Sequence, residues 1–376
     1  MHIVQIVPVI GPGAGRPGAA HHLGCALSAL GHTVENFTAE RARGRPQRSF
    51  RSSLPYRLAR IWYAVEFSIF GTRKAKRFLK ERPDARSICH DGALVGDIYV
   101  DHGVTAAAMK AHGDLAWRMA RNPVLTFIHV RDRIRYRGRA HRAVVVLTQA
   151  ELGVLERFYG KVAPPVHVIP HGVDLERFRV PGHETRRVAR ERLALDDEHR
   201  VALFVGHELE RKGLGLAIDA LVDAPTVLLL VVGGHRESVT RMQAHAQMRG
   251  VADRVLFVGP QYDLAEYFAA ADMFIFPSAY ESFGMVITEA LASGIPVVAT
   301  RVGCAPDVLV DGENGYLVER DSAAIADRLE RLAATDVDEW RERCRASVAH
   351  LTWAAAAERY VALLADITPD RVGAAR

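Results

Sequence analysis

Glu281-Ser-Phe-Gly-Met-Val-Ile-Thr-Glu289 sets two carboxylates eight positions apart. Such a pair could serve as general acid and base, or as two acceptors for sugar hydroxyls. Their surroundings differ. Met-Phe-Ile-Phe-Pro-Ser (273–278) precedes them and reads as a buried strand running into a loop. Ala-Leu-Ala-Ser-Gly294 follows, a helix end closed by glycine, and then a second apolar run. Glu281 is therefore expected on a loop at a strand's carboxyl end, and Glu289 inside the next helix. In open parallel sheets that edge is where ligands bind. The helix is predicted to start near Ser282 to Gly284. Backbone N–H groups of its first turn, Gly284, Met285 and Val286, would form an anion site suited to a phosphate. A ligand carrying both a diphosphate and sugars fits this layout. The plainer alternative is a pair of solvated surface charges.

Two further constellations could act on such a ligand. Val205-Gly206 ends an apolar run, and Arg211-Lys212-Gly213 follows before a helical pattern. Adjacent cations there could clamp a diphosphate, Arg with forked hydrogen bonds and Lys as a mobile point charge. By itself such a pair is usually a solvated surface feature. His102, in Val-Asp-His-Gly103, sits at another strand end, and His90, in Cys-His-Asp-Gly, is its rival. Either could hydrogen-bond a substrate or steady a developing charge, although lone histidines are more often structural.

The first strand feeds Gly11-Pro-Gly-Ala-Gly15-Arg-Pro-Gly18, a glycine-rich loop able to cradle a phosphate. Gly13, Gly15 and Gly18 fall at dinucleotide-binding spacing, but Glu35 is the sole acidic residue near the position a ribose would need. Metal-ligand spacings are missing from the sequence. Asp336-Val-Asp338 lies in a polar helical stretch and reads as surface.

The elements that must position these residues alternate along the chain. Apolar strand-like runs at 2–9, 34–38, 87–90, 97–101 and 143–148, then at 201–205, 226–232, 254–258, 273–276 and 295–299, alternate with helical patterns. This predicts an α/β chain with parallel sheets. The stretch 161–174 carries three prolines and reads as a link between two doubly wound domains. The last helix, about 353–365 and opening at Trp353, is apolar on one face and should dock onto a domain. The tail after Thr368 is expected to fray.

A length of 376 residues predicts two domains. The amino terminus reads as a strand rather than a signal peptide, and no apolar run reaches transmembrane length. Cys25, Cys89, Cys304 and Cys344 lack paired spacing and are expected to act as small core residues in a reducing cytoplasm. The net charge of +5 hides a split: residues 1–170 carry 26 Lys/Arg against 12 Asp/Glu, and the remainder 23 against 32. Residues 41–82 hold 13 basic and two acidic side chains together with Trp62, Tyr63, Phe67 and Phe70. Residues 118–142 hold eight Arg and one Asp. Basic, aromatic-bearing segments point to an anionic partner, with an arginine-rich proteome as the plain alternative. No nucleic-acid-binding module is recognisable.

Taken together, these motifs resemble glycosyltransferase family 4, the group 1 type, with the GT-B fold. The segments that carry the likeness are Phe276 through Thr300, Gly303 to Pro306, Asp311-Gly-Glu-Asn-Gly315, Val205-Gly206 with Arg211-Lys212-Gly213, Ile169-Pro-His-Gly-Val-Asp174, and Val255-Leu-Phe-Val-Gly259. The spread from Arg211 to Glu281 is similar to that in lipopolysaccharide-core glucosyltransferases. The likeness implies two Rossmann-like domains with parallel sheets facing a central cleft: an acceptor domain at 1–168, a donor domain at 169–352, and a helix at 353–376 packing back towards the first. It implies transfer of a sugar from a nucleotide-sugar, UDP by family frequency, with retention and without metal or other cofactor. Glu289 would bind the donor ribose, and Glu281 with Ser282 and Phe283 would hold the sugar. Gly284, Met285, Val286, Arg211 and Lys212 would neutralise the diphosphate, with Gly206 alongside. Gly15 would lie against the diphosphate although the family's Gly-Gly is here Ala14-Gly15, and His102 would serve the acceptor side. The acceptor is expected to be lipid-linked, a glycan or phosphorylated, met at an anionic membrane surface through 41–82 and 118–142 on the cytoplasmic side. A soluble small-molecule acceptor, or a non-catalytic nucleotide-sugar- or glycan-binding protein, are the alternatives.

Overall fold

The computed structural model describes residues 1–13, 15–43, 65–111, 113 and 115–367, with Ala116 and Arg118 described by backbone alone. The chain divides into two compact units. One takes Met1–Gly172 and the helix Trp353–Asp366, the other Val173–Thr352.

The first unit holds six strands: β1 (His2–Ile6), β2 (Thr33–Phe37), β3 (Arg86–Cys89), β4 (Ile98–Val100), β5 (Ala143–Val146) and β6 (Val166–Val168). They form one all-parallel sheet in the order β2-β1-β3-β4-β5-β6. The second unit holds β7 (Arg200–Gly206), β8 (Val227–Gly233), β9 (Val255–Gly259), β10 (Met273–Phe276), β11 (Val297–Thr300) and β12 (Gly315–Val318). Its sheet is also all parallel, in the order β12-β11-β10-β7-β8-β9. Central strands covered by helices on both faces must be apolar throughout, which is why runs such as Val227–Gly233 do not alternate.

Every strand expected from the sequence is present. Two were missed, β6 and β12, and both are edge strands. β6 lies inside the stretch expected to be a link. Pro164, Pro165 and Pro170 flank it and leave three residues free to pair, a composition that only an edge tolerates. The division between units falls at Gly172/Val173 rather than at 168/169. Ile169 N–H donates to Val146 O at 3.0 Å in the first unit, whereas Val173 N–H donates to Leu351 O at 2.8 Å in the second. The Trp353–Asp366 helix packs on the helix Gly15–Ala29, burying Ala356, Ala357, Tyr360, Leu363 and Leu364.

In each sheet the strand order reverses at one place. The reversal lies between β1 and β3 in the first sheet, and between β7 and β10 in the second. Loops leaving those strands diverge and open a crevice at the carboxyl edge.

Two expectations about charged and thiol residues are overturned. Arg131 and Arg135 of the 118–142 block are not available to an anionic surface. Both are buried on the helix Pro123–Arg137 and converge on Asp132 Oδ1, at 2.8 and 2.7 Å. Arg135 also donates to the carbonyls of Asp91 and Ala93 and stacks over Tyr99. A helix seated on a sheet turns part of its surface inward whatever its composition, so these guanidiniums became internal ties. Arg121, Arg133, Arg137 and Arg139 do stay exposed. Three cysteines are buried as expected, but Cys25 is exposed. Within 41–82, residues 44–64 with Trp62 and Tyr63 lie outside the described residues, as does the tail from 368.

Candidate donor site and histidine cluster

The second unit's crevice gathers the residues that the sequence singled out. Pro277 to Gly284 leave β10, and Gly206 to Gly213 leave the neighbouring β7. Arg211 Nη1 donates to Glu281 Oε1 at 3.0 Å, and Lys212 Nζ lies 3.1 Å from the same oxygen. Ser278 Oγ adds a third donor at 3.2 Å. Arg211 also binds the Tyr280 carbonyl and Glu208, the latter at 2.6 Å. Lys212 Nζ sits 4.4 Å above the centre of the Phe276 ring. Burial disfavours the Arg211 cation, but Glu281 and Glu208 outweigh it and hold its pKa above the ordinary guanidinium value.

Backbone geometry makes this packing possible. Gly206 has no room for a side chain, because a Cβ there would meet Lys212 Cδ at 2.2 Å. Gly303, with φ +54°, lies where a Cβ would be 2.2 Å from Phe283 O and 3.2 Å from Glu281 Cβ. Cys304 N–H donates to that same Phe283 oxygen at 2.7 Å, tying the loop after β11 to the motif.

The helix begins at Met285, one residue past the end of the expected Ser282 to Gly284 range, with Gly284 left-handed at its N-cap and Ser282 and Phe283 in the loop before it. Its opening amides, those of Met285 and Val286 included, have no carbonyl ahead of them in the helix. Further along the helix lies Glu289. Its Oε2 is buried without a hydrogen-bond partner. Burial raises its pKa to about 7, with Arg177 and Lys212 pulling the other way. A carboxyl group in that state is an unfilled acceptor.

In the first unit the two rival histidines are neighbours. His90 Nδ1 and His102 Nε2 are 3.1 Å apart at the carboxyl ends of β3 and β4. His171 packs against His102 with ring centres 5.3 Å apart, and Trp353 against His171 at 5.5 Å. Burial pushes His90 down to about 4 and His171 to about 3, and holds His102 well below its ordinary value. Gly15 opens the helix after β1 with φ +73° and open space where a Cβ would stand. Arg16 next to it pairs with Asp91 at 3.0 Å. Glu35 is taken by Arg41 and Arg82, at 2.8 and 2.7 Å. Asp336 and Asp338 are exposed, and Asp336 accepts from the Asp338 amide at 3.0 Å. Among the described residues no cluster of three metal-ligating side chains occurs.

Sequence reasoning missed Ser278, Phe276, Arg177, His171 and Gln5 as neighbours of these sites. The clue for Ser278 was its place three residues before Glu281 on the same loop; the others come near the sites only through the tertiary fold.

A family model described as glycosyl transferases group 1 matches residues 185–349. D-inositol 3-phosphate glycosyltransferase of Xylanimonas cellulosilytica is 38% identical over 244 residues, which make up 62% of this chain and 58% of that relative. The chain thus spans less than two thirds of the length of the relative it matches. Among solved structures, WaaG, a glycosyltransferase involved in lipopolysaccharide biosynthesis, has a TM-score of 0.76 at 20% identity, covering 97% of this chain and 100% of its own. Anabaena HepE, solved in complex with UDP-glucose, has a TM-score of 0.69 at 18% identity, covering 98% and 100%. These structural likenesses identify the pair of parallel six-stranded sheets as the GT-B fold. The segment that holds Gly206, Arg211, Lys212 and the whole Glu281 to Glu289 motif lies within residues 185–349, the part of the chain that resembles the group 1 glycosyl transferases.

Proposed function

We propose that this protein transfers a sugar from a nucleotide-sugar, with retention of configuration, to a hydroxyl of a lipid-linked, glycan or phosphorylated acceptor. The observation that carries the reading is the pairing of Arg211 and Lys212 with Glu281 at the β7/β10 crevice, one helix away from the unfilled Glu289 carboxyl. Glu289 takes the ribose hydroxyls, Glu281 with the Ser282 and Phe283 backbone takes the sugar, and the diphosphate lies between them. Arg211, Lys212 and the amides of Met285 and Val286 stabilise the charge that grows on the leaving group. The bond from the anomeric carbon to phosphate breaks as the bond to the acceptor oxygen forms on the same face. The acceptor's proton passes to a phosphate oxygen, and a nucleoside diphosphate leaves. In this reading protein cations supply the counter-charge, so no metal or other cofactor is required. His102 serves the acceptor side.

UDP is the favoured donor nucleotide, since a structural neighbour is described with UDP-glucose. Names of similar proteins include an inositol-phosphate glycosyltransferase and a lipopolysaccharide enzyme, in keeping with an anionic or lipid-borne acceptor. No helix among the described residues is long and apolar enough to cross a membrane. A surface contact is the proposal, on the cytoplasmic face. Exposed Arg73, Lys76, Arg77 and Lys80 follow Ile69 and Phe70, which are 41% and 49% exposed. Exposed Trp117, Val130 and Ile134 stand among Arg121, Arg133 and Arg137.

Thermal-shift screening tests the donor. UDP-sugars should raise the melting temperature and GDP-sugars should not, because a ligand that binds only the folded state stabilises it. With the donor in hand, the product's anomeric configuration and an EDTA control test retention and metal independence. Vesicle sedimentation at low salt tests the surface. Preferential binding to anionic vesicles is expected; equal binding to neutral ones removes the membrane and leaves a soluble acceptor.

A further inference from the structure

We propose that Gln5 and His90 are positioning residues that lock the His102 ring into one tautomer, leaving its Nδ1 as a hydrogen-bond acceptor for a substrate hydroxyl. This rests on the reading that His102 serves the substrate. The order of hydrogen bonds sets the polarity. Gln5 is fully buried in the middle of β1, where a polar side chain is costly unless its groups are bonded. Its amide is oriented at both ends: Nε2 donates to Asn36 Oδ1 at 3.3 Å, and Oε1 lies 2.8 Å from His90 Nε2. Gly24 leaves the space this amide occupies, since a Cβ there would stand 2.6 Å from Gln5 Nε2. The His90 backbone is pinned as well, its N–H donating to Ile6 O at 3.0 Å.

An amide oxygen can only accept, so His90 Nε2 carries a proton. Burial keeps His90 neutral, with its pKa near 4. Its Nδ1 is therefore bare and must accept from the partner 3.1 Å away, His102 Nε2. His102 is neutral too, so its own Nδ1 holds a lone pair. His171, ring against ring, restrains rotation about this bond. Among the described residues no hydrogen bond is formed at His102 Nδ1. Gln5 on β1 and the histidines just past the ends of β3 and β4 thus leave one acceptor nitrogen at the carboxyl edge of the sheet. A neutral imidazole so poised orients a hydroxyl rather than donating a proton to it.

Histidine nitrogen shifts of the full-length protein read this directly. In the wild type, His102 should show a protonated Nε2 and a bare Nδ1; a protonated Nδ1 overturns the proposal. Gln5→Glu should invert the relay. At low pH the introduced carboxyl keeps its proton and donates it to His90 Nε2 or passes it to the ring; once ionised beside a neutral ring it accepts as the Gln5 oxygen does and restores the wild-type tautomer. Either protonated arrangement makes His90 Nδ1 a donor and moves the His102 proton to Nδ1. His90→Leu should leave a mixture of tautomers, and His90→Asn, whose amide oxygen can replace the lost acceptor, should restore the wild-type pattern. An unchanged His102 tautomer in folded His90→Leu and, at every pH where it is folded, in Gln5→Glu overturns the proposal. The outcome does not depend on turnover: a protein with this tautomer pattern and no transferase activity retains the relay and loses the proposed function.

Discussion

Arg211 Nη1 donates to Glu281 Oε1 at 3.0 Å across 70 positions of sequence. Lys212 reaches the same oxygen, so one carboxylate holds two cations in place before any ligand arrives. Held charges need little reorganisation when a leaving group develops its own, which is the basis of electrostatic preorganisation.

Replacing either cation should therefore reduce turnover more than donor binding. Arg211→Ala and Lys212→Ala should each lower kcat by about 10²- to 10³-fold, with a smaller rise in KM for the donor. Steady-state kinetics against donor concentration separate the two. An unchanged kcat in both variants would remove them from the leaving-group role.

Glu289 should make both stability and donor binding depend on pH. Its folded pKa of about 7 lies above the ordinary carboxylate value of 4.5. The folded state therefore binds a proton that the unfolded state releases, and the contribution of Glu289 to stability is greatest below 4.5 and declines as pH rises towards 7. Glu289→Gln should flatten this decline and stabilise the unliganded protein above pH 7 by at most roughly 3 kcal/mol. The same variant should weaken nucleotide binding. If ribose hydroxyls favour the ionised form, binding near pH 6 releases a proton, and calorimetry in buffers of different ionisation enthalpy counts it.

Two glycines with positive φ should respond differently to alanine. Gly303→Ala forces a Cβ onto the Phe283 carbonyl, so unfolding should become easier by several kcal/mol and donor binding should fail with it. Gly15→Ala meets open space and should cost only the left-handed backbone strain, about 1–2 kcal/mol. Denaturant titration of both variants checks the contrast. Equal losses would mean that the Phe283 contact yields.

Basic residues of one helix should separate into two roles. Arg135→Ala leaves Asp132 short of a buried partner and should destabilise by about 3–5 kcal/mol. Arg133→Ala, on the exposed face, should leave the melting temperature unchanged and reduce sedimentation with anionic vesicles. Loss of vesicle binding in neither Arg133→Ala nor Arg137→Ala would take this face out of the proposed surface.

Much of the fold was legible because its signals are local. Apolar runs of strand length, glycine at the turns and the 3.6-residue period between them are properties of neighbouring residues. Hence the expected strands all appear, and the Glu281 to Glu289 motif falls on a loop and its following helix. β6 and β12 escaped because an edge strand of three or four residues carries too little hydrophobic pattern to announce itself.

What the sequence by itself determined was the set of chemical groups and the element on which each sits. Which groups meet was decided by tertiary structure. Strand order placed the loop after β7 beside the loop after β10, and so brought Arg211 and Lys212 to Glu281. It placed β1 beside β3, and β3 beside β4, and so turned two lone histidines and a glutamine into one relay. Burial, too, is a property of packing rather than of residue type. It left Arg133 in solvent and made Arg135, two residues away, an internal tie, and it raised the Glu289 carboxyl to about 7. Charge in a sequence is a count, whereas the energy of a charge depends on the dielectric and partners that folding provides.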